Sequence, residues 1–145
     1  MVVTLLAVGW SLLGGTGGSG DEHALDLSSV EQRFLAATRD LPEMTASVQE
    51  YNDLDVFDHA LTVRTKFIED SVAEFGTIAK EDDGAESKVA RHAVTTGKRV
   101  LLAIERFRIA IIATNDLTEA QEALDDIAAE VDDLEAEVRA WKASQ

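Results

Sequence analysis

Asp116 to Trp141 reads DLTEAQEALDDIAAEVDDLEAEVRAW. Leu117, Ala120, Leu124, Ile127, Val131, Leu134, Val138 and Trp141 recur in alternating steps of three and four. That is a heptad seam, the pattern of a helix with one face against neighbouring helices. Glu, Asp and Ala fill the positions between, with no Gly or Pro to break it. Asp116 followed by Glu119 has the spacing of a capping box. The spacing predicts a helix of about 27 residues, roughly 40 Å long at 1.5 Å per residue.

The pattern extends upstream. Val89, Ala93, Thr96, Val100, Ala103, Phe107, Ala110 and Thr114 form a second seam. Leu101, Leu102, Ile104, Ile109, Ile111 and Ile112 lie on the other faces of the same helix. A helix apolar nearly all round is expected at the centre of a fold. Asn115-Asp116 is the expected turn between these two helices. Before the loop Glu81–Ser87, a third stripe runs through Leu54, Phe57, Leu61, Ile68, Val72, Phe75 and Ile78, with Asn52-Asp53 as turn and N-cap. The first helix is expected from Ser28 or Ser29, with Glu31 closing a capping box from Ser28. It runs through Val30, Phe34, Leu41, Met44, Val48 and Tyr51, and Pro42 either kinks it or begins a second short helix. The fold class expected is all-α: an up-down-up-down antiparallel four-helix bundle over residues 21–145. A three-helix bundle with a loose first arm is the alternative.

Composition excludes several functions. The chain has 145 residues, 46% hydrophobic, enough for one domain with a core. Lys+Arg number 13 against 28 Asp+Glu, a net charge of −15. Such a surface lacks the clustered cations that nucleic acid or anionic lipid requires. Five of the basic residues are Lys and eight are Arg. A Lys-poor, acidic surface suits high salt, where self-repulsion is screened; an ordinary acidic bundle reads the same way. With no Cys, disulfides, thiolate metal sites and a cysteine nucleophile are excluded.

The opening, MVVTLLAVGWSLLGGTGGSG, has an apolar run over residues 1–13 and a Gly-rich linker over 14–20. The run has signal-peptide length but no basic residue before it and no A-x-A site after it. It is too short to span a bilayer, which takes about 20 apolar residues. A natural start further upstream would account for the missing basic residues and the short span. Export or membrane tethering through residues 1–13 is expected, with a cytoplasmic protein as the alternative. Gly15 to Gly20 matches G-x-G-x-x-G, but a dinucleotide site needs a parallel sheet behind it, and everything downstream reads helical.

No catalytic set assembles. The histidines are His23, His59 and His92. Di-iron bundles carry Glu-x-x-His on two helices, and Val56 and Val89 stand where those Glu residues would be. Asp55 and His59, four apart, offer two metal ligands at most. Asp53, Asp55 and Asp58 lack the Gly and distal Glu of a calcium loop. Glu81 to Gly84 reads as a solvated acidic turn. No enzyme, cofactor or metal is expected.

The most unusual segment is ERFR, Glu105 to Arg108, inside VLLAIERFRIAIIA. Symmetric pairing of the hairpins about residue 83 places Arg108 level with Asp58 and His59. Pairing about residues 115 and 116 places Arg106 level with Asp125 and Asp126. A charge-paired belt that fixes helix register is expected. The alternative is a small-molecule sensor or carrier, with a cavity near Arg106, Arg108, His59 and Tyr51. The function expected is contact with an unidentified protein partner, by a bundle that presents its Asn52-Asp53 and Asn115-Asp116 pole outward.

Overall fold

The computed structural model describes residues 25–51 and 53–145. The apolar opening, the Gly-rich linker, His23, Asn52 and the side chain of Tyr51 lie outside the described residues. Among the described residues five helices follow in order: α1 (Leu27–Arg39), α2 (Leu41–Tyr51), α3 (Leu54–Ala79), α4 (Ala85–Ile112) and α5 (Leu117–Ala143). No strand occurs among the described residues. Helices α1, α3, α4 and α5 form a closed ring in which α1 packs on α3, α3 on α4, α4 on α5 and α5 back on α1. The α1–α5 seam is the lightest of the four. The chain is an all-α four-helix bundle, with α2 continuing the first helix beyond a break.

Turn chemistry sets the helix ends. Asp26 caps α1, its carboxylate accepting from the Ser29 N–H at 2.8 Å. The capping box expected from Ser28 does not form, because Asp26 reaches the free N–H groups first. Asp53 caps α3 through the Val56 N–H at 3.1 Å, and Asp116 caps α5 through the Glu119 N–H at 3.0 Å. Glu119 does not return the bond to Asp116, whose N–H goes to the Ala110 carbonyl at 2.8 Å. Asn115 turns the chain at φ 50, a left-handed conformation that Asn tolerates. α4 begins earlier than the acidic loop suggested, at Ala85. Ser87 lies inside it and donates to the Ile78 carbonyl at 2.8 Å.

Pro42 has no N–H and its ring would strike the Thr38 carbonyl, so α1 cannot run on. The chain closes at Asp40, whose N–H bonds back to Thr38 and whose carbonyl accepts from the Glu43 N–H at 3.1 Å. A second helix starts there, with Pro42 in its first turn.

The seams fill the core. Phe34 meets Phe75 edge-on at 5.9 Å between ring centres, and Phe57 meets Phe107 at 5.5 Å; such pairs contribute about 0.5–1.5 kcal/mol beyond burial. α4 is a ring member and not a central helix: Leu102 is 71% and Ile109 46% exposed. A four-membered ring leaves the outer face of every helix to water, and α4 has more aliphatic residues than its inner face holds. Leu54 and Leu117, at the ends of their stripes, also stand exposed.

Candidate functional site

The ERFR segment lies on α4 where its flanks meet α3 and α5. Arg108 Nε donates to Asp58 Oδ1 at 2.7 Å. Arg106 donates to Asp126 Oδ2 at 2.6 Å and to Glu119 Oε1 at 2.8 and 3.0 Å. Glu105 is 3.6 Å from Arg108 on the same helix. These bonds push both guanidinium groups further up from their ordinary value, with Asp126 and Glu119 responsible for Arg106 and Asp58 for Arg108. Directly beneath, Phe57 and Phe107 pack in the core. α3 and α4 therefore meet twice at this level, through an aromatic pair inside and an ion pair outside.

Two expected members stand apart. His59 is exposed on α3, and Arg108 selects Asp58 beside it. Asp125 points along its own helix, accepting from Gln121 Nε2 at 2.9 Å. Their positions follow from the 100° step of a helix: of two adjacent residues, one faces the seam and the next faces away. The belt is also a surface feature and not a buried one, since the Arg108 and Asp58 side chains are 42% and 39% exposed.

The belt does not border an open chamber. Arg106 lines a dent of about 420 Å³ between α4 and α5, but Asp126, Glu130 and Asp133 share that wall. Arg99 reaches Glu130 across it at 3.3 Å. The guanidinium donors are taken up by carboxylates. Other acidic groups are likewise engaged: Asp53 caps α3, and Asp82 accepts from the Gly84 N–H at 2.6 Å and Ser87 Oγ at 3.1 Å. Among the described residues, no group of three or more His, Asp and Glu is placed to hold a metal ion.

The buried ion pair lies elsewhere, and the sequence reading missed it. Arg64, 1% exposed, donates from Nε to Asp40 Oδ1 at 2.9 Å, pairs through Nη2 with Asp40 Oδ2, and donates from Nη1 to the Ala60 carbonyl at 3.3 Å. It ties α3 to the α1–α2 joint. The signal was present: after Phe57 and Leu61, the next seam step falls on Arg64 before reaching Ile68. Glu31 was missed in the same way. It lies on the inner face of α1, 5% exposed, and burial pushes its carboxyl above the usual range.

The second pole of the bundle, where the Asp53 and Asn115-Asp116 turns lie, carries an open groove of about 390 Å³, lined by Thr45, Val48, Leu54, Ile111, Ile112, Asn115 and Leu117. Thr45 Oγ1 is buried there with no hydrogen-bond partner. By contrast, Thr62, Thr65 and Thr77 each donate to the carbonyl four residues back. The exposed carboxylates of Asp53, Asp55 and Asp116 lie at the same pole.

No protein-family model, curated protein or solved structure matches this chain.

Proposed function

We propose that the protein is a non-catalytic helical bundle, exported or membrane-tethered through residues 1–13, that works by contact with another protein at its second pole. The observation that carries this reading is the contrast between a closed belt and an open tip. In the last two turns of α4, just below that pole, every ERFR charge is met by a carboxylate or guanidinium group. At the pole, Leu54 and Leu117 stand exposed along the groove. Exposed apolar surface rimmed by polar groups is the usual form of a contact site. The rim is acidic, so the partner segment that fits is apolar and flanked by Lys or Arg. A carrier function would need belt side chains around a void free of carboxylates, and the Arg106 dent is lined by three of them.

No helix among the described residues is long and apolar enough to cross a membrane, so any anchoring falls to the opening segment. The test is capture from the native membrane fraction by the full-length chain and by a Leu54→Asp/Leu117→Asp variant. A partner with a basic, apolar segment, held by the natural protein and lost by the variant with helix content unchanged, supports the reading. Equal capture by both overturns the tip contact. Recovery of the full-length chain only from soluble cytosol overturns the tether.

A further inference from the structure

Charge is segregated between the two best-packed helices. α4 carries Lys88, Arg91, Lys98, Arg99, Arg106 and Arg108 against Glu86 and Glu105. α5 carries nine carboxylates against Arg139 and Lys142. They lie side by side; Arg108 turns to α3, and the other cations make one edge of this face basic against the acidic edge of α5. Between the edges lies the dent described above. Its sides are the Arg99–Glu130 and Arg106–Asp126 ion pairs, and Ala103 and Ala129 are among its lining residues. Beside it Leu102 stands 71% exposed, the most exposed large apolar side chain among the described residues.

We propose that this face binds a second copy of the chain, α4 of each copy lying on α5 of the other. The contact is separate from the tip and does not depend on it. The argument is one of symmetry. A two-fold axis running parallel to the helices, between α4 and α5, carries the basic edge of one copy onto the acidic edge of the other. The same face then serves both partners and the assembly closes at two. The axis leaves height along the bundle unchanged, so the register within one copy is also the register across the interface. Within a copy, Arg99 is level with Glu130, and His92 with Glu137. Across the interface Leu102 therefore meets Ala128 and Ala129, where small side chains leave room for it, and Lys98 meets Asp132. All of these residues are exposed in the single chain. Glu105 meets Asp125 and Arg91 meets Arg139, so like charges oppose at those levels. Each copy carries −15, and screening of that mutual repulsion outweighs the weakening of Lys98 on Asp132, so the association is stronger in salt.

Sedimentation equilibrium of the full chain from low to molar NaCl tests the association. A dimer that strengthens with salt is expected. Leu102→Glu, at an exposed position that leaves folding intact, is expected to weaken it roughly tenfold or more, since a carboxylate would be pressed against apolar surface. A chain monomeric at every salt and at millimolar concentration overturns the proposal. Because the protein has no cysteine, the pairing itself can be read. Leu102→Cys and Ala129→Cys chains, mixed under mild oxidation, are expected to link to one another and not to themselves. Like positions sit on the diagonal of the four-helix layer, beyond the Cα separation of about 7 Å that a disulfide spans. Self-linking of Leu102→Cys with no mixed product would put α4 on α4 and overturn the arrangement.

Discussion

Arg64 and Arg108 do the same chemistry in different surroundings. Each is a guanidinium group on a long helix, and each holds one aspartate of another segment. Arg64 is 1% exposed, grips Asp40 with two nitrogens and spends a third on a carbonyl. Arg108 is 42% exposed and holds Asp58 through one nitrogen. The difference teaches that sequence context misleads about which charge matters. ERFR draws the eye because it interrupts aliphatic residues, yet it lies in water, where ion pairs contribute little. Arg64 looks like an ordinary helix charge between Val63 and Thr65, yet it occupies a seam position and pins the joint that Pro42 creates.

The largest effect expected is from Arg64→Ala. It removes the partner of a carboxylate only partly open to water and leaves a hole at the α1–α2 joint. A loss of roughly 3–5 kcal/mol is expected, a large share of the 5–15 kcal/mol typical of a domain. Urea denaturation measures it. Arg64→Met combined with Asp40→Asn should lose less than Arg64→Ala alone, because no unpaired charge remains. Equal losses for Arg64→Ala and Arg108→Ala would break the comparison at its root.

A second buried contact, with no charge in it, calibrates the first. At Gly97 a Cβ would stand 2.3 Å from Val72 Cγ2, so that methyl group must shift before α4 can carry a side chain there. Gly97→Ala is expected to cost about 1–3 kcal/mol through overpacking. In a Val72→Ala background most of that penalty should vanish, since the group it strikes is gone. A penalty that survives Val72→Ala would place the cost in α4 itself and not at the α3–α4 contact.

These two sites also mark what could be read from the chain. The three long seams were legible because Phe57, Phe107, Leu134 and their neighbours recur at three-four spacing, the pattern of a helix against helices. The Asp53 and Asp116 caps were legible from turn chemistry alone. The belt pairs Arg108–Asp58 and Arg106–Asp126 followed from hairpin symmetry, since short turns leave little freedom in register. Arg64 and Glu31 were not legible as buried groups, because apolar periodicity sets polar residues aside as solvated. The tip groove could not be foreseen either. It depends on how far α2 swings at Pro42, which the packing of Leu41 and Met44 decides and no local pattern states.

Glu31 gives the comparison a third setting: a buried carboxyl with no opposite charge within ion-pair distance among the described residues. Burial raises its carboxyl, Glu135 adds to this, and Lys142, Arg39 and Arg139 oppose it without prevailing. The folded state therefore holds this proton more tightly than the unfolded chain does. Glu31 ionises at a cost to the fold above its raised folded value, and that cost fades as pH falls toward the ordinary glutamate value. Glu31→Gln should raise the melting temperature at neutral pH. The gap between variant and natural protein should close on acidification through that window. A gap that is absent at neutral pH, or that widens in acid, would mean that Glu31 is stabilised by the nearby cations after all.

The smallest effect is expected at the belt, and it is most informative when read against salt. In water, Arg108→Ala should scarcely move the urea midpoint, because solvent replaces most of what Asp58 supplies. A double-mutant cycle on Arg108 and Asp58 isolates the pair from changes in helix propensity. Any coupling at low ionic strength should fade toward molar NaCl, as the Debye length contracts from about 10 Å at 0.1 M to about 3 Å at 1 M. The melting temperature of the natural protein should climb over the same range, since the same ions screen the mutual repulsion of a chain with net charge −15. Opposite trends in one titration separate the two roles of surface charge: local pairing weakened by salt, and global repulsion relieved by it. A belt coupling that persists in molar salt would mean that Arg108 and Asp58 are shielded from water in solution. The contrast with Arg64 would then be one of degree. A flat or falling melting curve would show that the acidic surface is not held back by its own charge, and the high-salt reading of the composition would fail with it.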